Sequence, residues 1–273
     1  MIKFFLFSLL LLCVCSLELP LLPLVKANKE DVWNIQNVGY NNKKQSIINL
    51  SDGTQALKVV YPKGSYEPSK NPIGGLGIYA SPPEAFAAEE ATFTYQLYFD
   101  DNFEPVLGGK LPGLYVAGGT NKSDIKGGSG GDHSEVSTVR IMWRQKMAAE
   151  TYVYLPYDLT QDPSYEKIPG IIRNKEYGDS LWRGELTFKY KAWNDVSIHV
   201  IMNTVGVNDG LLEVTINGVT RSFNKLGWRQ HDNYKVSFID FETFFGGSTT
   251  DWATPIDTYT LFRNINIETD KSR

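Results

Sequence analysis

The stretch ATFTYQLYFD, residues 91–100, alternates strictly: Phe93, Tyr95, Leu97 and Phe99 fall on one side, Thr92, Thr94, Gln96 and Tyr98 on the other. Successive side chains of an extended chain point to opposite faces, so this run predicts a strand with one buried face and one wetted face. The same period recurs in STVRIMWR (137–144), TYVYLP (151–156), WRGELTFKY (182–190), VSIHVIMN (196–203), YKVSFIDFE (234–242) and YTLFRNINIET (259–269). Gly, Pro, Asn and Asp punctuate the intervals, as turns require. One stretch, PPEAFAAEEA (82–91), reads as a short helix. Many short strands with few helices predict an all-β protein, a β-sandwich or jelly roll of two packed antiparallel sheets, not alternating βαβ units. Residues 28–273 contain no Pro/Ser-rich linker and no internal repeat, so a single domain is expected.

Composition narrows the function. Of the 273 residues 42% are apolar, enough for a sizeable core, and 15 Tyr, 14 Phe and 6 Trp favour strands and carbohydrate-facing surfaces. The net charge of -4 gives no global basic field, which argues against nucleic acid as a partner. The chain begins with Lys3 and the 13-residue apolar run FFLFSLLLLCVCS, shorter than the roughly 20 residues that span a bilayer. Residues 1–27 are therefore expected to be a signal peptide, cleaved after Ser16 or Ala27, with Ala27 preferred. The mature protein would be secreted and extracellular, with no membrane association, and a monomer is expected. Both cysteines, Cys13 and Cys15, lie in the leader, so the mature fold rests on its core and not on disulfides. Sequons at Asn49 and Asn121 are candidate glycan sites. No GxSxG, phosphate loop, calcium loop or zinc spacing is present, so neither a metal nor a cofactor is expected.

The alternation also composes a candidate site. In STVRIMWR, Val139, Ile141 and Trp143 share the core face, leaving Thr138, Arg140, Met142 and Arg144 on the other. In TYVYLP, Tyr152 and Tyr154 share a face opposite Thr151, Val153 and Leu155. The six residues QKMAAE between these runs suit a hairpin loop. If the two strands pair, a guanidinium meets two phenols and the Thr138 hydroxyl, a patch suited to a carboxylate and a sugar. An exposed arginine stacked on tyrosines is the plainer reading of the same alternation. Nearby, LGGKLPGLY (107–115) sets Lys110 between two glycines and a proline. Gly108 and Gly109 would admit the close approach of a polymer chain, and Pro112 would stiffen the backbone beyond the lysine.

LGGKLPGLY, the glycine-rich GGSGG (127–131), VRIMWR and YVYLP, in that order, resemble polysaccharide lyase family 14. KAWNDVSIHVIMN, NDGLLEVTING, FFGG and DWATPIDTYTLFRNI (251–265) extend the resemblance, which covers residues 90 to 267. It implies a secreted β-jelly roll with a concave substrate groove, cleaving polyuronates such as alginate or glucuronan by β-elimination. The family's motif lysine falls on Lys110, its arginine on Arg140, and its Tyr-x-Tyr pair on Tyr152 and Tyr154, twelve and fourteen residues after the arginine. The family's serine position holds Thr138; the adjacent Ser137 should point to the core.

The chemistry fits these residue types. Elimination removes the C5 proton beside an ionised carboxylate, so Lys110 or Arg140 would neutralise that carboxylate, a contribution of ~3–4 kcal/mol when preorganised. A tyrosine with its pKa lowered by a neighbouring cation would serve as base or acid. Proton transfer is assigned to Tyr152, because Leu155-Pro156 carries the strand out of the sheet just after Tyr154. Arg144, His133, His199 and Asn203 are further substrate-binding candidates, the two histidines also as reserve bases. Glycoside hydrolysis would instead need two facing carboxylates, and no such pair is legible. The alternatives are an inactive jelly-roll lectin for acidic polysaccharide, motivated by Thr138, and a secreted wall or matrix protein.

Overall fold

The computed structural model of the protein describes residues 15–21, 23–24, 32–41, 45–126, 135–156, 158–174 and 176–271. In chain order the strands are β1 (Cys15–Glu18), β2 (Ile35–Asn41), β3 (Ser46–Asn49), β4 (Gln55–Tyr61) and β5 (Leu76–Ala80). The run that opened the sequence becomes β6 (Glu90–Phe99), followed by β7 (Gly108–Ala117), β8 (Ser137–Arg144) and β9 (Ala148–Tyr154). Next come β10 (Asp179–Thr187), β11 (Asn194–Ile201) and β12 (Gly210–Ile216). The last three are β13 (Val219–Leu226), β14 (Lys235–Phe245) and β15 (Thr258–Thr269). One antiparallel sheet has the order β13-β12-β11-β6-β15-β4-β3, with β1 beside β15, and the other β10-β9-β8-β7-β14-β5-β2.

The period-2 patterns explain how the sheets meet. Ala91, Phe93, Tyr95, Leu97 and Phe99 of β6 are buried and share one hydrophobic cluster with Val139, Ile141 and Trp143 of β8. Trp143 is the hub, edge-on to Phe99, Phe103 and Phe245 at 6.0, 5.4 and 5.2 Å. Edge-on aromatic pairs add about 0.5–1.5 kcal/mol each beyond their buried area. The Tyr61 hydroxyl hydrogen-bonds to Thr243 at 2.5 Å and Thr260 at 2.7 Å, tying β4 and β15 of one sheet to β14 of the other. The Tyr95 hydroxyl donates to the Pro112 carbonyl at 3.2 Å, a second polar link through the core.

Two local expectations are corrected. The helix expected over 82–91 is absent: Ala85 and Phe86 turn back onto the Pro82 carbonyl, and Ala88 then bridges to Val236. Ala85, Phe86 and Ala88 are all in the core, so packing of a single turn overrides a weak helical propensity. The hairpin loop between β8 and β9 is also shorter than six residues. Only Gln145–Met147 form the turn, and β9 already begins at Ala148. Ala149 and Glu150 therefore pair with Trp143 and Met142, and Met147 plugs the core from the turn. At the N-terminus, β1 pairs with Asn266–Thr269, and Leu19 and Leu24 are buried in the core cluster. Cleavage after Ala27 would remove all of β1, whereas cleavage after Ser16 would remove two of its residues.

The glycines before Lys110 serve packing. A side-chain carbon at Gly109 would stand 2.1 Å from the Trp143 ring and 2.4 Å from the Phe244 carbonyl oxygen. Gly109 thus makes room for the core tryptophan, not for a polymer. Gly109→Ala should cost on the order of 1–3 kcal/mol through overpacking at this hub. A thermal melt measures the loss; an unchanged midpoint would mean that Trp143 has an alternative seat.

Candidate active site

Three adjacent strands of the second sheet carry the site. In register across β7, β8 and β9, Lys110 faces Met142 and then Glu150; Gly113 faces Arg140 and then Tyr152; Tyr115 faces Thr138 and then Tyr154. β14 adds Phe244 opposite Lys110 and Asp240 opposite Gly113. A groove of about 590 Å³ runs over this face, lined by Lys110, Met142, Arg144, Tyr152 and Tyr154, with Phe244, Trp252 and Arg183 further along. Lys110 Nζ donates to Tyr154 Oη at 3.0 Å and lies 4.8 Å from the centre of the Tyr152 ring. The two tyrosine rings meet edge-on at 5.3 Å and pack with Met142.

Arg140 belongs to a layer beneath this floor. It is 1% exposed and does not line the groove. Its guanidinium reaches past Gly113 to Asp240, 3.5 Å from Nε, and donates to Glu242 through Nη1. It remains 5.6 Å from the centre of the Tyr154 ring. Thr138 is fully buried and likewise outside the groove lining.

The polysaccharide lyase 14 family model matches residues 49–265. The chain belongs to polysaccharide lyase family 14. The PL-14 alginate lyase of Aplysia kurodai has a similar structure: TM-score 0.81, 29% identity, 94% of this chain and 99% of that one covered. Alginate lyase vAL-1 from Chlorella virus gives TM-score 0.76 and 28% identity, covering 92% of this chain and 98% of its own. Among curated sequences, Exolysin of Paramecium bursaria Chlorella virus 1 is 22% identical over 193 residues, 66% of this chain and 29% of Exolysin. The chain thus spans under a third of that curated relative's length. The two packed sheets form the β-jelly roll shared with these lyases.

The electrostatics of this lyase groove push its two central groups apart. Burial, reinforced by Arg140, holds Lys110 well below the usual lysine range, with Glu242 and Asp240 opposing in part. Burial raises both Tyr152 and Tyr154. Arg140 does lower Tyr154, as a neighbouring cation should, yet burial outweighs it, so the expected fall toward working pH does not occur. Burial works against the Arg140 charge, but Asp240 and Glu242 outweigh it and hold the guanidinium protonated.

The sequence-derived candidates divide. Lys110, Arg144, Tyr152 and Tyr154 come together in the groove, with Arg140 and Thr138 below. His199 does not line the groove. It lies on β11 in the opposite sheet, 2.9 Å from Glu90, because alternation assigns a face but not a sheet. Asn203 is buried after β11, accepting from the backbone N–H groups of Trp228 and Arg229, a structural role away from the groove. His133 lies outside the described residues. Sequence reading missed Asp240, Glu242, Glu150 and Arg183. The first two had a signal, since FIDFE alternates its acids onto the face opposite Ile239 and Phe241. Among the described residues no group of His, Cys, Asp and Glu could hold a metal ion.

Asp240 is fully buried, with no hydrogen-bond partner for either carboxylate oxygen among the described residues. Burial pushes its pKa up to about 7, with Glu242 adding and Arg140 and Lys110 opposing. A carboxyl raised in the folded state stabilises the fold fully below its unfolded value of 3.8, and that stability is lost as pH rises through about 7. Unfolding free energy should therefore fall across this window by up to ~1.4 kcal/mol per pH unit from this group. Asp240→Asn should flatten the slope in denaturation measured at a series of pH values. An unchanged slope would remove Asp240 as its source.

Proposed function

We propose that this protein is a secreted polyuronate lyase that cleaves alginate or glucuronan by β-elimination, with Lys110 as base and Tyr154 as acid. The observation that carries this reading is the 3.0 Å contact between a lysine held below its usual range and a tyrosine held above its own. A pair whose environments push their pKa values apart is pre-set for acid–base division. Lys110 enters as a neutral amine, a form that burial and Arg140 favour. It takes the proton from C5, the C4–C5 double bond forms, and the C4–oxygen bond breaks. Tyr154 gives its proton to the departing oxygen. The new ammonium on Lys110 then returns a proton to Tyr154 across their hydrogen bond, restoring both groups. The net transfer is one proton from C5 to the leaving oxygen, so the cycle closes without a co-reactant. Tyr152, on the floor, and Arg144, on the wall, supply donors for the carboxylate on which charge develops.

Proton transfer thus moves from the sequence-assigned Tyr152 to its neighbour, which has the direct contact to Lys110. Base and acid on one side of the groove favour a sugar whose C5 hydrogen and C4 oxygen share a ring face. Mannuronate and glucuronate meet that condition and guluronate does not. The inactive-lectin reading rested on Thr138, whose side chain is buried under the floor and away from the groove.

The test is ultraviolet absorbance of the unsaturated uronate on polymannuronate, glucuronan and polyguluronate. Lys110→Ala and Tyr154→Phe should each lower turnover by on the order of 10²-fold or more, while Tyr152→Phe should chiefly raise KM. Activity should rise with pH through the lowered Lys110 pKa, since the amine must be deprotonated, and persist while Tyr154 keeps its proton. Full turnover in a folded Tyr154→Phe variant would sink the assignment, as would a preference for polyguluronate.

A further inference from the structure

Beyond the acid–base pair, the groove ends in a cluster of which the elimination step uses only Arg144. β9 and β10 pair regularly from Asp179↔Val153 to Leu181↔Thr151 and resume at Leu186↔Ala149, so residues 182–185 bulge opposite Glu150 alone. The bulge is firmly built. Trp182 takes φ +53° with its side chain buried, and its N–H donates to the Pro169 carbonyl at 3.0 Å. Gly170 packs so closely that a side-chain carbon there would stand 2.6 Å from the Arg183 backbone nitrogen and oxygen. Bulges beside active sites commonly re-aim a side chain, and a strained non-glycine φ persists only where its surroundings hold it.

The side chain so aimed is Arg183, 41% exposed and lining the groove. Its Nε faces Glu150 Oε2 at 3.4 Å, and no other side-chain partner of Arg183 occurs among the described residues. Glu150 is fully buried, and its other oxygen takes Arg144 Nη2 and the Ser180 hydroxyl, the latter at 3.1 Å. One buried carboxylate thus braces two groove-lining guanidiniums, leaving the cluster a net positive charge. Arg144 and Arg183 are held at a fixed separation, with donor edges to spare for anions.

We infer that Arg183 is a carboxylate-binding position for a further uronate of the same chain, beyond the sugar held at Lys110 and Arg144. The inference rests on the polyuronate reading of the groove and adds a requirement for consecutive acidic sugars. β10 lies three strands from β7, roughly 14 Å at ~4.8 Å per strand, so filling both positions takes an oligomer. Glu150 and the bulge set the geometry, and Arg183 makes the contact.

The experiment pairs turnover with binding for wild type, Arg183→Ala and Arg183→Lys, all checked for unchanged melting. Polymannuronate is titrated calorimetrically at low and raised salt, and mannuronic acid serves as a competitive monosaccharide. Arg183→Ala should raise Kd and KM for polymannuronate about 5- to 20-fold and flatten the salt dependence, the effect falling on KM and not kcat. The inhibition constant of the monosaccharide should not move. Lysine should restore the salt dependence but only part of the affinity, since it lacks the planar fork. Unchanged Kd, KM and salt dependence in a folded Arg183→Ala variant would overturn the inference, as would an equal loss toward the monosaccharide. If wild type bound polymannuronate through Arg183 without forming unsaturated product, the lyase reading would fall and this one would stand. If wild type bound no polyuronate, both would fall.

Discussion

The contact of Arg140 with Asp240 and Glu242 is the constraint on which the groove depends. Three ionisable groups lie below a catalytic floor, and two of them are almost wholly out of water. Burial of such charges costs several kcal/mol each and is tolerated only when they are paired. Gly113 separates Arg140 from Asp240 in register, and a side-chain carbon there would stand 1.9 Å from the Val139 carbonyl oxygen, so the close approach of β7 and β8 at this point requires glycine. The cluster also decides what lies above it. Arg140 keeps a positive charge close to Lys110, and two acids limit how far that charge is felt. The lysine is therefore depressed without being expelled from the floor.

From that layer follows the division of labour above it. The same burial that disfavours an ammonium on Lys110 disfavours a phenolate on Tyr154, so one environment pushes a cationic acid down and a neutral acid up. No separate device is needed to favour the neutral form of both groups, which the proposed division into base and acid requires. Tyr152 keeps its proton by the same burial and stacks edge-on against Tyr154, which limits the floor's freedom to rearrange. Met142 packs beside the two tyrosines and lines the groove with them.

Much of this was legible in residue order. The alternation of β6 and β8 gave both the inter-sheet core and the face on which Arg140, Met142 and Arg144 stand. The order of Lys110, Arg140, Tyr152 and Tyr154 foretold a shared patch, because consecutive β7, β8 and β9 pair in sequence. Two kinds of information were missing. Alternation does not say which sheet a strand enters, so His199 was set beside a groove that lies on the other sheet. Nor does it distinguish a side chain in a groove from one beneath it, so Arg140 was expected to meet substrate when it meets Asp240. Arg183 was hidden for a third reason, since its direction comes from a bulge, and a bulge breaks the period on which the reading relies.

A common feature links the arginines around the site. Arg140 is tied to Asp240 and Glu242, and Arg144 and Arg183 share Glu150, so every guanidinium of the floor and its groove end has a carboxylate partner, with one positive charge in excess at the Glu150 end. For a protein of net charge -4 that meets a polyanion, bare cations would have given the strongest attraction. Braced cations give a weaker and better-oriented one. That balance suits an enzyme whose substrate and product carry the same carboxylates. A donor set that bound every uronate tightly would stabilise ground state and product along with the transition state and so gain nothing in turnover. Fixing each guanidinium against a buried carboxylate restricts binding to donors in defined directions. The unpaired electrostatic work is left to the Lys110–Tyr154 contact, where the proposed proton transfers take place.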